Sequence, residues 1–443
     1  MADAALGEER PKRHQAKEWT SGQHPVTFAF PFTQRWINPL KNRRISYVSG
    51  PIDAAQAYQN YLGSGDKDYF GTVYLNQLYA VAAEQGLDLQ VITTLPETPP
   101  SYPGSPPHVC VNLPSPTGRG LAYHLQMIWW CLTAMAHIMR FRPAAVIMTA
   151  GQDYFFLFSM LRLFGIDIVT SYHCTVWPQF SQKPWHLKLL LKLNAWLYLP
   201  LNCAIIGVSE VVRNQVLAIC PNVANRTFRF LPTYQAEQFA EFKPAVFPEG
   251  QVEILFVGRI EENKGVFDLV EMARFLERQQ PGKFIFHVCG TGSAEDEFRR
   301  AVDRLHSEFS VTAPIVHFHG HSGKDALTHR YQQCHIVLVP TRSSFEEGLP
   351  KVCAEAVLAF RPLITSGACP LMYDVLDATV EVQPDAVQQY IDAILLLSRD
   401  RALFDAKVAA TVQLRQMFLD QSRSYAATAW KALTMTRLGN QKA

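Results

Sequence analysis

The sequence predicts an α/β protein built from two doubly wound domains. Two successive alternations of short strands and helices support this prediction, one from about residue 45 to 231 and one from about 254 to 365. The predicted strands are almost entirely apolar, which is typical of parallel sheets covered by helices on both faces. The length of 443 residues also fits two cores of about 200 residues better than a single core.

The overall composition is that of a soluble globular protein, with 48% hydrophobic and 18% charged residues. The formal net charge of +2 argues neither for nor against nucleic acid, and no nucleic-acid partner is expected. The nine cysteines are scattered without a Cys-x-x-Cys pair, which predicts reduced, mostly buried thiols and a cytoplasmic location. Residues 1–40 are predicted to be a flexible, polar arm without the apolar core of a signal peptide.

The first domain is predicted over residues 41–235. A strand at 45–50 leads through a polar loop at 51–69 into a helix at 71–85, which ends before Gly86, and a strand follows at 89–93. The Pro-rich stretch 96–116 is expected to be a surface loop. The later elements are helix 119–141, strand 145–150, helix 153–164, strand 166–172, helix 185–199, strand 203–208, helix 210–219 and strand 227–231.

The second domain is predicted over residues 236–411, with the Pro- and Gly-containing stretch 232–251 as the linker. Its alternation begins with strand 254–257 and helix 266–279, and helices from residue 386 onward close the chain. The elements between them are strand 284–289, helix 295–309, strand 315–318, helix 324–333, strand 336–340, helix 350–360 and strand 363–365.

Two apolar segments of the first domain raise the question of membrane contact. Residues 121–139 carry no formal charge and are long enough to span a bilayer. Their histidines and glutamine are poor lipid-facing residues, so a buried helix is predicted instead. The segment from Trp185 to Leu199 places Lys188 and Lys192 on one face and is otherwise apolar. It is interpreted either as a buried helix or as a helix that docks on an anionic membrane surface.

A loop followed by a helix carries the two carboxylates on which the functional prediction depends. Glu347 precedes Gly348, which permits a tight turn, and Pro350 suits the start of a helix that then contains Glu355. Free N–H groups at a helix start favour an anion such as phosphate. Carboxylates on either side can accept hydrogen bonds from hydroxyl groups, so the segment suits a long ligand with an anionic middle. Glu346 lies outside this spacing, and a minor role is expected for it.

The loop after the first strand of the second domain, residues 258–265, contains two cations. Arg259 and Lys264 would reach the mouth of the sheet, where a guanidinium and an ammonium group can clamp a diphosphate. The alternative is that they pair with Glu261 and Glu262 on the surface.

A second glycine turn, Gly290-Thr291-Gly292, follows strand 284–289 and would let the backbone approach a nucleotide closely. Ligands of open parallel sheets bind outside the carboxyl ends of the strands, so both loops would contribute to one site. The sequence has neither a Walker motif nor a Gly-x-Gly-x-x-Gly pattern that opens a helix. A kinase or a nicotinamide dehydrogenase is therefore disfavoured.

Histidines and acidic residues near strand ends allow weaker interpretations. His317, His319 and His321 alternate as zinc ligands can, but no cysteine or carboxylate accompanies them at a useful spacing, so no metal site is predicted. Residues 66–68 are interpreted as a solvated turn rather than as a metal–diphosphate site. His173 follows strand 166–172 and would point into a cleft, although a packed or surface histidine is the simpler alternative.

These motifs together resemble a known family. The run EGLPKVCAEA, which begins at Glu347, resembles the Glu-x7-Glu signature of the retaining, nucleotide-sugar-dependent glycosyltransferases of family 4, which have the GT-B fold. The Gly258-Arg259 and Lys264-Gly265 pairs match the diphosphate-binding loop of that family, and the turn at residues 290–292 matches its next glycine turn. The resemblance implies two Rossmann-like domains that face each other across a cleft.

The resemblance also implies roles for individual residues. Arg259 and Lys264 would hold the donor diphosphate, Glu347 would lie against the donor sugar, and Glu355 would bind the ribose hydroxyls. His173 resembles a histidine of the first domain that faces the donor sugar, and Gly71 corresponds to the acceptor-side loop. The remaining donor-binding positions are Gly258, Gly290, Thr291, Gly292, Gly348 and Leu349. Family members often return their last helix to the first domain, here residues 412–443.

The expected partners are a nucleotide diphosphate sugar and a sugar-, lipid- or small-molecule-linked hydroxyl acceptor. No cofactor or metal is expected, because cationic side chains and N–H groups would meet the charge of the diphosphate. The sequence leaves three alternatives open: a sugar phosphorylase, a nucleotide-sugar epimerase, and an inactive nucleotide-sugar-binding scaffold. Pro232-Thr233-Tyr234 stands where many family members have an Asn-Gly turn. The expected location is the cytoplasm, with contact at the inner face of the membrane if segment 185–199 docks there.

Overall fold

The computed structural model describes residues 43–63, 70, 73–95, 109–180, 182–309, 313–345 and 347–440. Over these ranges the chain forms two separate sheets, one of seven strands and one of six, with helices packed against them. The prediction of two doubly wound α/β domains is confirmed. Gly71, Glu346, residues 66–68 and the arm 1–40 lie outside the described residues.

The first sheet has the strand order β3-β2-β1-β4-β5-β6-β7, and its neighbouring strands are all parallel. The order reverses between β1 and β4, so the loops after these strands open a crevice at the carboxyl edge of the sheet. The strands are β1 (Arg44–Val48), β2 (Asp88–Thr93), β3 (Val109–Asn112), β4 (Ala145–Met148), β5 (Asp167–Tyr172), β6 (Ala204–Gly207) and β7 (Thr227–Arg229). Every residue of β4, β5 and β6 is buried, as expected for a sheet covered on both faces.

Five α-helices and a long 3₁₀ helix, Gln152–Phe164, connect these strands. The α-helices are α1 (Ala54–Leu62), α2 (Tyr74–Gln85), α3 (Leu121–Phe141), α4 (Trp185–Leu193) and α5 (Glu210–Ile219). A π-helical turn, Asn194–Tyr198, continues α4. Helix α2 ends where the sequence predicts, because Gly86 takes the left-handed conformation with φ 61° and caps the last turn.

The second sheet has the order β10-β9-β8-β11-β12-β13 and is also parallel throughout. Its strands are β8 (Val252–Val257), β9 (Phe284–Cys289), β10 (Val316–Gly320), β11 (Ile336–Val339), β12 (Leu363–Ser366) and β13 (Thr379–Val382). The helices among them are α6 (Val266–Gln279), α7 (Glu295–Phe309), α8 (Lys324–Gln333), α9 (Lys351–Leu358) and α10 (Val387–Arg399). Here the order reverses between β8 and β11, which defines a second crevice.

The C-terminal helices connect the two halves of the molecule. They are α11 (Arg401–Leu419), α12 (Tyr425–Thr434) and α13 (Arg437–Asn440). Helix α11 packs against α9, whereas α12 packs against α2. Tyr425, Ala429 and Leu433 of α12 are fully buried within the core of the first sheet. The end of the chain therefore completes the domain with which the chain begins.

Three short elements differ from the sequence prediction. Helix α1 lies inside the segment predicted as a polar loop, and its N-cap Asp53 accepts a hydrogen bond of 2.9 Å from the backbone N–H of Gln56. Strand β3 lies inside the Pro-rich stretch predicted as a loop, where it pairs with β2 at the sheet edge. Strand β13 extends the second sheet beyond the predicted strands.

Several groups predicted to be buried lie at the surface. No helix in the described ranges combines the length and the apolarity that a bilayer crossing requires. Helix α3 is buried along one face only, because Trp130, Ala134 and Ile138 lie in the core whereas Leu121 and Trp129 are 74% and 72% exposed. Segment 185–199 is likewise buried along one face only, since Leu191, Tyr198 and Leu199 lie in the core whereas Trp185 and Trp196 are each 77% exposed. All nine cysteines are free, and six are buried, but Cys110 and Cys174 are exposed.

Candidate active site

The candidate site lies at the carboxyl edge of the second sheet, where the strand order reverses between β8 and β11. The loop after β8 contacts the segment after β11 at this point. Gly265 has φ 74°, and a Cβ atom there would lie 2.1 Å from the carbonyl oxygen of Pro340. Glycine is therefore required for the two segments to touch. Their contact places Lys264 beside the residues that follow β11.

Lys264 and Glu347 form an ion pair at this edge. The Nζ of Lys264 donates a hydrogen bond to Oε2 of Glu347, and the hydroxyl of Thr341 donates to the same oxygen at 3.4 Å. The two charged side chains are 13% and 11% exposed. The ring of Phe345 lies 4.2 Å from Nζ of Lys264 and adds a cation–π contact. The structure thus joins two residues that are 83 positions apart.

Arg259 lies near the same edge but is more exposed. Its Nη1 donates a hydrogen bond of 2.8 Å to Glu261, and 57% of its side chain is exposed. Surface pairing, the simpler alternative for both cations, therefore describes Arg259 but not Lys264. An exposed ion pair contributes little free energy, so the guanidinium of Arg259 can turn toward a ligand at low cost.

The two glycine turns pack backbone against backbone. Gly290 has φ 139°, and a Cβ atom there would lie 1.8 Å from the carbonyl oxygen of Gly258. A Cβ atom on Gly292 would lie 2.3 Å from the carbonyl oxygen of Ile260, whose N–H donates to the carbonyl of Thr291 at 3.0 Å. The sequence predicts that these glycines let the backbone approach a nucleotide. The structure gives them a further function, which is to hold the loops after β8 and β9 together.

Gly348 brings the first domain to the site. A Cβ atom on Gly348 would lie 1.9 Å from the carbonyl oxygen of His173, the residue that follows β5. The next residue, Leu349, packs against the cores of both domains. The loop that carries Glu347 therefore reaches across the cleft and contacts the carboxyl edge of the first sheet.

The imidazole of His173 lies in an aromatic enclosure. The ring centroids of Tyr74, Tyr425 and Phe230 are 4.8, 5.4 and 5.9 Å from that of His173. The hydroxyl of Ser171 lies 3.0 Å from Nε2. Burial lowers the pKa of His173 to about 4, so its imidazole is neutral at pH 7. A neutral imidazole offers one hydrogen-bond donor and one acceptor, and it adds no charge to the cleft.

Glu355 is largely buried, with 8% of the residue exposed, and two phenol groups contact its carboxylate. Tyr331 donates a hydrogen bond of 3.1 Å to its Oε2, and Tyr234 donates one of 3.4 Å to its Oε1. Burial raises the pKa of Glu355, while the charge of Lys351 and the two phenol hydrogen bonds oppose this rise. The Glu-x7-Glu spacing thus places one carboxylate at the cleft and the other inside the domain.

The four tyrosines around these groups are residues that sequence reasoning did not assign to the site: Tyr74, Tyr234, Tyr331 and Tyr425. They come from different parts of the chain, and two of them lie 24 and 121 positions from Glu355. The available signal was Tyr234 itself, because it stands in the segment that departs from the Asn-Gly turn of the resembling family. In this structure that departure supplies a hydroxyl donor to Glu355.

The alternating histidines form a stack of rings. His317 and His319 lie nearly parallel to His287 of the neighbouring strand, with interplanar angles of 16° and 17°. Nε2 of His287 lies 2.6 Å from the carboxylate of Glu253, and Nδ1 lies 3.0 Å from Nε2 of His319. Within the described part of the chain, no group of three or more His, Cys, Asp or Glu side chains is arranged to hold a metal ion.

A site held between the facing carboxyl edges of two doubly wound sheets is the arrangement of the GT-B glycosyltransferases. Two family models agree with this classification. The model for glycosyl transferases group 1 matches residues 237–411, and the model for glycosyltransferase family 4 matches residues 71–230. Together they cover about three quarters of the sequence. The chain belongs to the family 4 glycosyltransferases and has the GT-B fold, as its motifs predict.

Solved structures with the same fold include sucrose-phosphate synthase of Thermosynechococcus elongatus, with a TM-score of 0.60 and 17% identity over 88% of this chain and 98% of that one. An E. coli structure described as trehalose-6-phosphate bound with UDP-2-fluoro glucose has a TM-score of 0.62 and 13% identity over 88% and 98%. Anabaena HepE in complex with UDP has a TM-score of 0.56 and 12% identity over the same shares. At these identities the likeness establishes the fold. No curated protein matches the chain by sequence.

Proposed function

We propose that this glycosyltransferase moves a sugar from a nucleotide diphosphate sugar to an acceptor hydroxyl with retention at the anomeric carbon. Such a reaction would serve the synthesis of a polysaccharide, a glycolipid or another glycoconjugate. The observation that supports it best is the Lys264–Glu347 pair, which lies at the reversal of the second sheet and is carried on a loop that contacts His173. Retention is inferred from the family resemblance of the segment that contains Glu347 and Glu355.

In this proposal, cations and backbone N–H groups stabilise the leaving diphosphate. Lys264 is already held at the site, Arg259 can turn toward it, and the start of α9 follows Glu347 within a few residues. Preorganised donors of this kind are worth several kcal/mol in the transition state. These groups suffice to meet the charge, so the proposal includes no metal ion. Two structures of the same fold bind UDP or UDP-2-fluoro glucose, which makes uridine diphosphate sugars the first donors to test.

The two carboxylates have separate roles in the proposal. Glu347 lies against the donor sugar, where its pairing with Lys264 fixes its position. Glu355 accepts hydrogen bonds from the ribose hydroxyls, and the hydroxyls of Tyr234 and Tyr331 hold its carboxylate in place until then. Because the diphosphate lies between the two carboxylates in this proposal, the donor sugar and the ribose lie on opposite sides of it.

The place of the reaction is also part of the proposal. We infer that the enzyme acts in the cytoplasm, at the inner face of a membrane that it contacts through the segment from Trp185 to Leu199. The exposure of both indoles of this segment supports the inference.

Substitution of the two cations tests the proposed function. Lys264→Ala and Arg259→Ala are each expected to reduce transfer from a UDP-sugar by roughly 10²-fold, because each removes a cation that would bind the leaving diphosphate. Arg278→Ala is the control, since Arg278 forms an exposed ion pair with Glu308 away from the site. The measurement is initial rate across a panel of UDP-, GDP- and ADP-sugars, with the anomeric configuration of the product read by NMR.

Three outcomes would contradict the assignment. Near-normal rates in both alanine variants would show that Lys264 and Arg259 do not bind the diphosphate. A strict requirement for inorganic phosphate would indicate a sugar phosphorylase. Donor binding in a thermal-shift assay without turnover on any acceptor would indicate a nucleotide-sugar-binding scaffold.

A further inference from the structure

The helices on one side of the first sheet expose many large apolar side chains. The chain steps in one direction along the sheet from β3 to β4, β5 and β6, and right-handed crossovers place the connecting helices on the same side. These are α3, the 3₁₀ helix Gln152–Phe164 and α4 with its continuation to Tyr198, and they pack side by side. We call their solvent side the outer helical face. Its large apolar residues that are more than two-thirds exposed are Leu121, Trp129, Leu163, Trp185 and Trp196.

The charges on this part of the chain are strongly one-sided. Residues 113–209 contain seven basic residues, namely Arg119, Arg140, Arg142, Arg162, Lys183, Lys188 and Lys192. They contain only two acidic residues, Asp153 and Asp167. Asp167 is buried and paired with Arg162, and Asp153 lines a cavity, so neither presents a carboxylate on the outer helical face. A surface that combines exposed indoles, leucines and lysines complements an anionic bilayer. Protein interfaces, in contrast, are depleted in lysine.

A cavity of about 430 Å³ opens where the three helices begin. Each of them follows the carboxyl end of a strand, so the cavity lies at the edge of the first sheet to which His173 also belongs. Its polar lining comprises Arg119, Tyr123, His124, Asp153, Tyr154 and His186. Burial raises the pKa of Asp153, and the neighbouring His186 and His124 oppose this rise. Such a lining can accept hydrogen bonds from hydroxyl groups and donate them to an anionic group.

We propose that the outer helical face docks on an anionic membrane and that the adjoining cavity receives the polar headgroup of a lipid-linked acceptor. The headgroup carries hydroxyls, which Asp153 recognises, and a phosphate, which Arg119 and the histidines recognise. The acyl chains stay in the bilayer on which Trp129, Trp185 and Trp196 rest. This inference rests on the proposed transfer reaction and adds the chemical class of its acceptor.

Sedimentation of the full-length protein with vesicles tests the docking step. We expect binding to vesicles of phosphatidylglycerol and phosphatidylcholine, and much weaker binding to phosphatidylcholine alone. Lys188→Glu and Lys192→Glu are each expected to weaken binding at least about fivefold, since one cation near an anionic surface contributes about that factor. The triple variant of Trp129, Trp185 and Trp196 to Ser is expected to release the protein from both vesicles.

Matched controls come from the second domain. Lys243→Glu reverses an exposed charge and Val412→Ser removes an exposed apolar side chain, and both should leave vesicle binding unchanged. Absence of binding to anionic vesicles at low salt, or equal binding by the lysine variants, would overturn the docking proposal. A wild-type dimer that the tryptophan variant converts to a monomer would also overturn it, because a second copy would then cover the face.

Headgroup recognition has its own measurement. The inositol ring of phosphatidylinositol presents more hydroxyls beside its phosphate than the glycerol headgroup of phosphatidylglycerol does, so vesicles containing it should bind more tightly than vesicles with the same fraction of phosphatidylglycerol. Asp153→Asn and His186→Gln should each reduce this preference about fivefold, the value of one lost hydrogen bond. An unchanged preference would show that the cavity does not bind the headgroup. A UDP-sugar should raise the unfolding temperature of all these variants as it does that of the wild type. If it does not raise the unfolding temperature of the wild type, the result counts against the proposed function instead.

Discussion

Glu347 and Glu355 have the same side chain but opposite surroundings. Glu347 meets the ammonium group of Lys264 at the edge of the cleft, whereas Glu355 meets two phenol hydroxyls inside the domain. A buried carboxylate without a cation in direct contact is costly to ionise. The protein therefore keeps Glu355 at the expense of stability, which is typical of a residue selected for binding.

This contrast leads to a prediction for Glu355→Gln. The folded state holds the proton of Glu355 more tightly than the unfolded chain does, because burial raises its pKa. The stability from this group is hence greatest below pH 4.5 and declines as the pH rises through the folded pKa. The amide of Gln has no charge to desolvate, so the variant should be more stable at pH 7 by about 1 kcal/mol and similar to the wild type at pH 4. Thermal unfolding at both pH values measures this.

The same variant should bind the donor more weakly, by roughly 10-fold, if Glu355 accepts hydrogen bonds from the ribose. Glu271→Gln, on the exposed surface of α6, is the control and should change neither property. A lower unfolding temperature for Glu355→Gln at pH 7 would mean that the two phenol hydrogen bonds outweigh the cost of burial.

Among the elements, those with a strong internal pattern were predicted well. Helix α6 has the predicted bounds, 266–279, because its apolar residues recur at helical spacing and Gly265 precedes them. Strand β3 has four residues at the sheet edge, and it forms because β2 offers hydrogen bonds there. Such an element depends on its neighbour, so its own sequence cannot reveal it. Helix α1 has only nine residues and is followed at once by Gly63, so its short pattern was too brief to reveal a helical period.

The residues of the candidate site likewise divide into those set by local sequence and those set by distant neighbours. Its loops could be placed from sequence because glycines and cations follow recognisable strands, as in residues 258–265. The contact partners could not be placed. Tyr331 reaches Glu355 only once α8 has come beside α9, and Tyr234 reaches it only once the linker has folded there. Tyr425 reaches His173 only after the chain has returned from the second sheet. Contacts between distant segments are set by tertiary structure rather than by local spacing.

In the loop after β11, we predict that Gly348→Ala lowers the rate of transfer strongly. The added Cβ atom would lie 1.9 Å from the carbonyl oxygen of His173, so the two domains would have to separate slightly. A displacement of about 1 Å at a reacting centre can cost roughly 10² in rate. The thermal unfolding temperature should change little, because the contact lies between the domains and not inside either core. Steady-state rates and calorimetry on the same preparation measure both.

Two other glycines serve as comparisons. Gly250→Ala should be silent in both measurements, since a Cβ atom there meets nothing within 4 Å. Gly290→Ala should lower the unfolding temperature, because its Cβ atom would lie 1.8 Å from the carbonyl oxygen of Gly258 within one domain. If Gly348→Ala turned over substrate at the wild-type rate, the domains would accommodate the added Cβ atom near His173 without displacing the reacting groups.

The whole molecule is connected by two chain crossings that lie side by side. The backbone N–H of Leu231 donates to the carbonyl of Arg423 at 2.9 Å, and that of Tyr234 donates to the carbonyl of Phe418 at the same distance. The side chain of Gln421 donates to the carbonyl of Tyr234 at 2.8 Å. Any movement of one domain relative to the other must therefore bend both crossings together. Since Tyr234 also contacts Glu355, this bending would change the position of the Glu355 carboxylate at the proposed ribose site.

The return crossing makes the stability of the first domain depend on the end of the chain. Deletion of residues 421–443 removes α12 and α13, whose buried side chains include Tyr425, Leu433 and Leu438. Each large apolar side chain contributes about 1.5–3 kcal/mol, so the loss approaches the whole stability of a typical domain, about 5–15 kcal/mol. We expect calorimetry of the shortened protein to lack the unfolding transition of the first domain. The second domain, which has its own core, should keep its transition and the stabilisation that it gains from a UDP-sugar. A chain that ends at Asn440 should behave as the wild type, and two unaltered transitions in the shorter chain would show that the first sheet folds without α12.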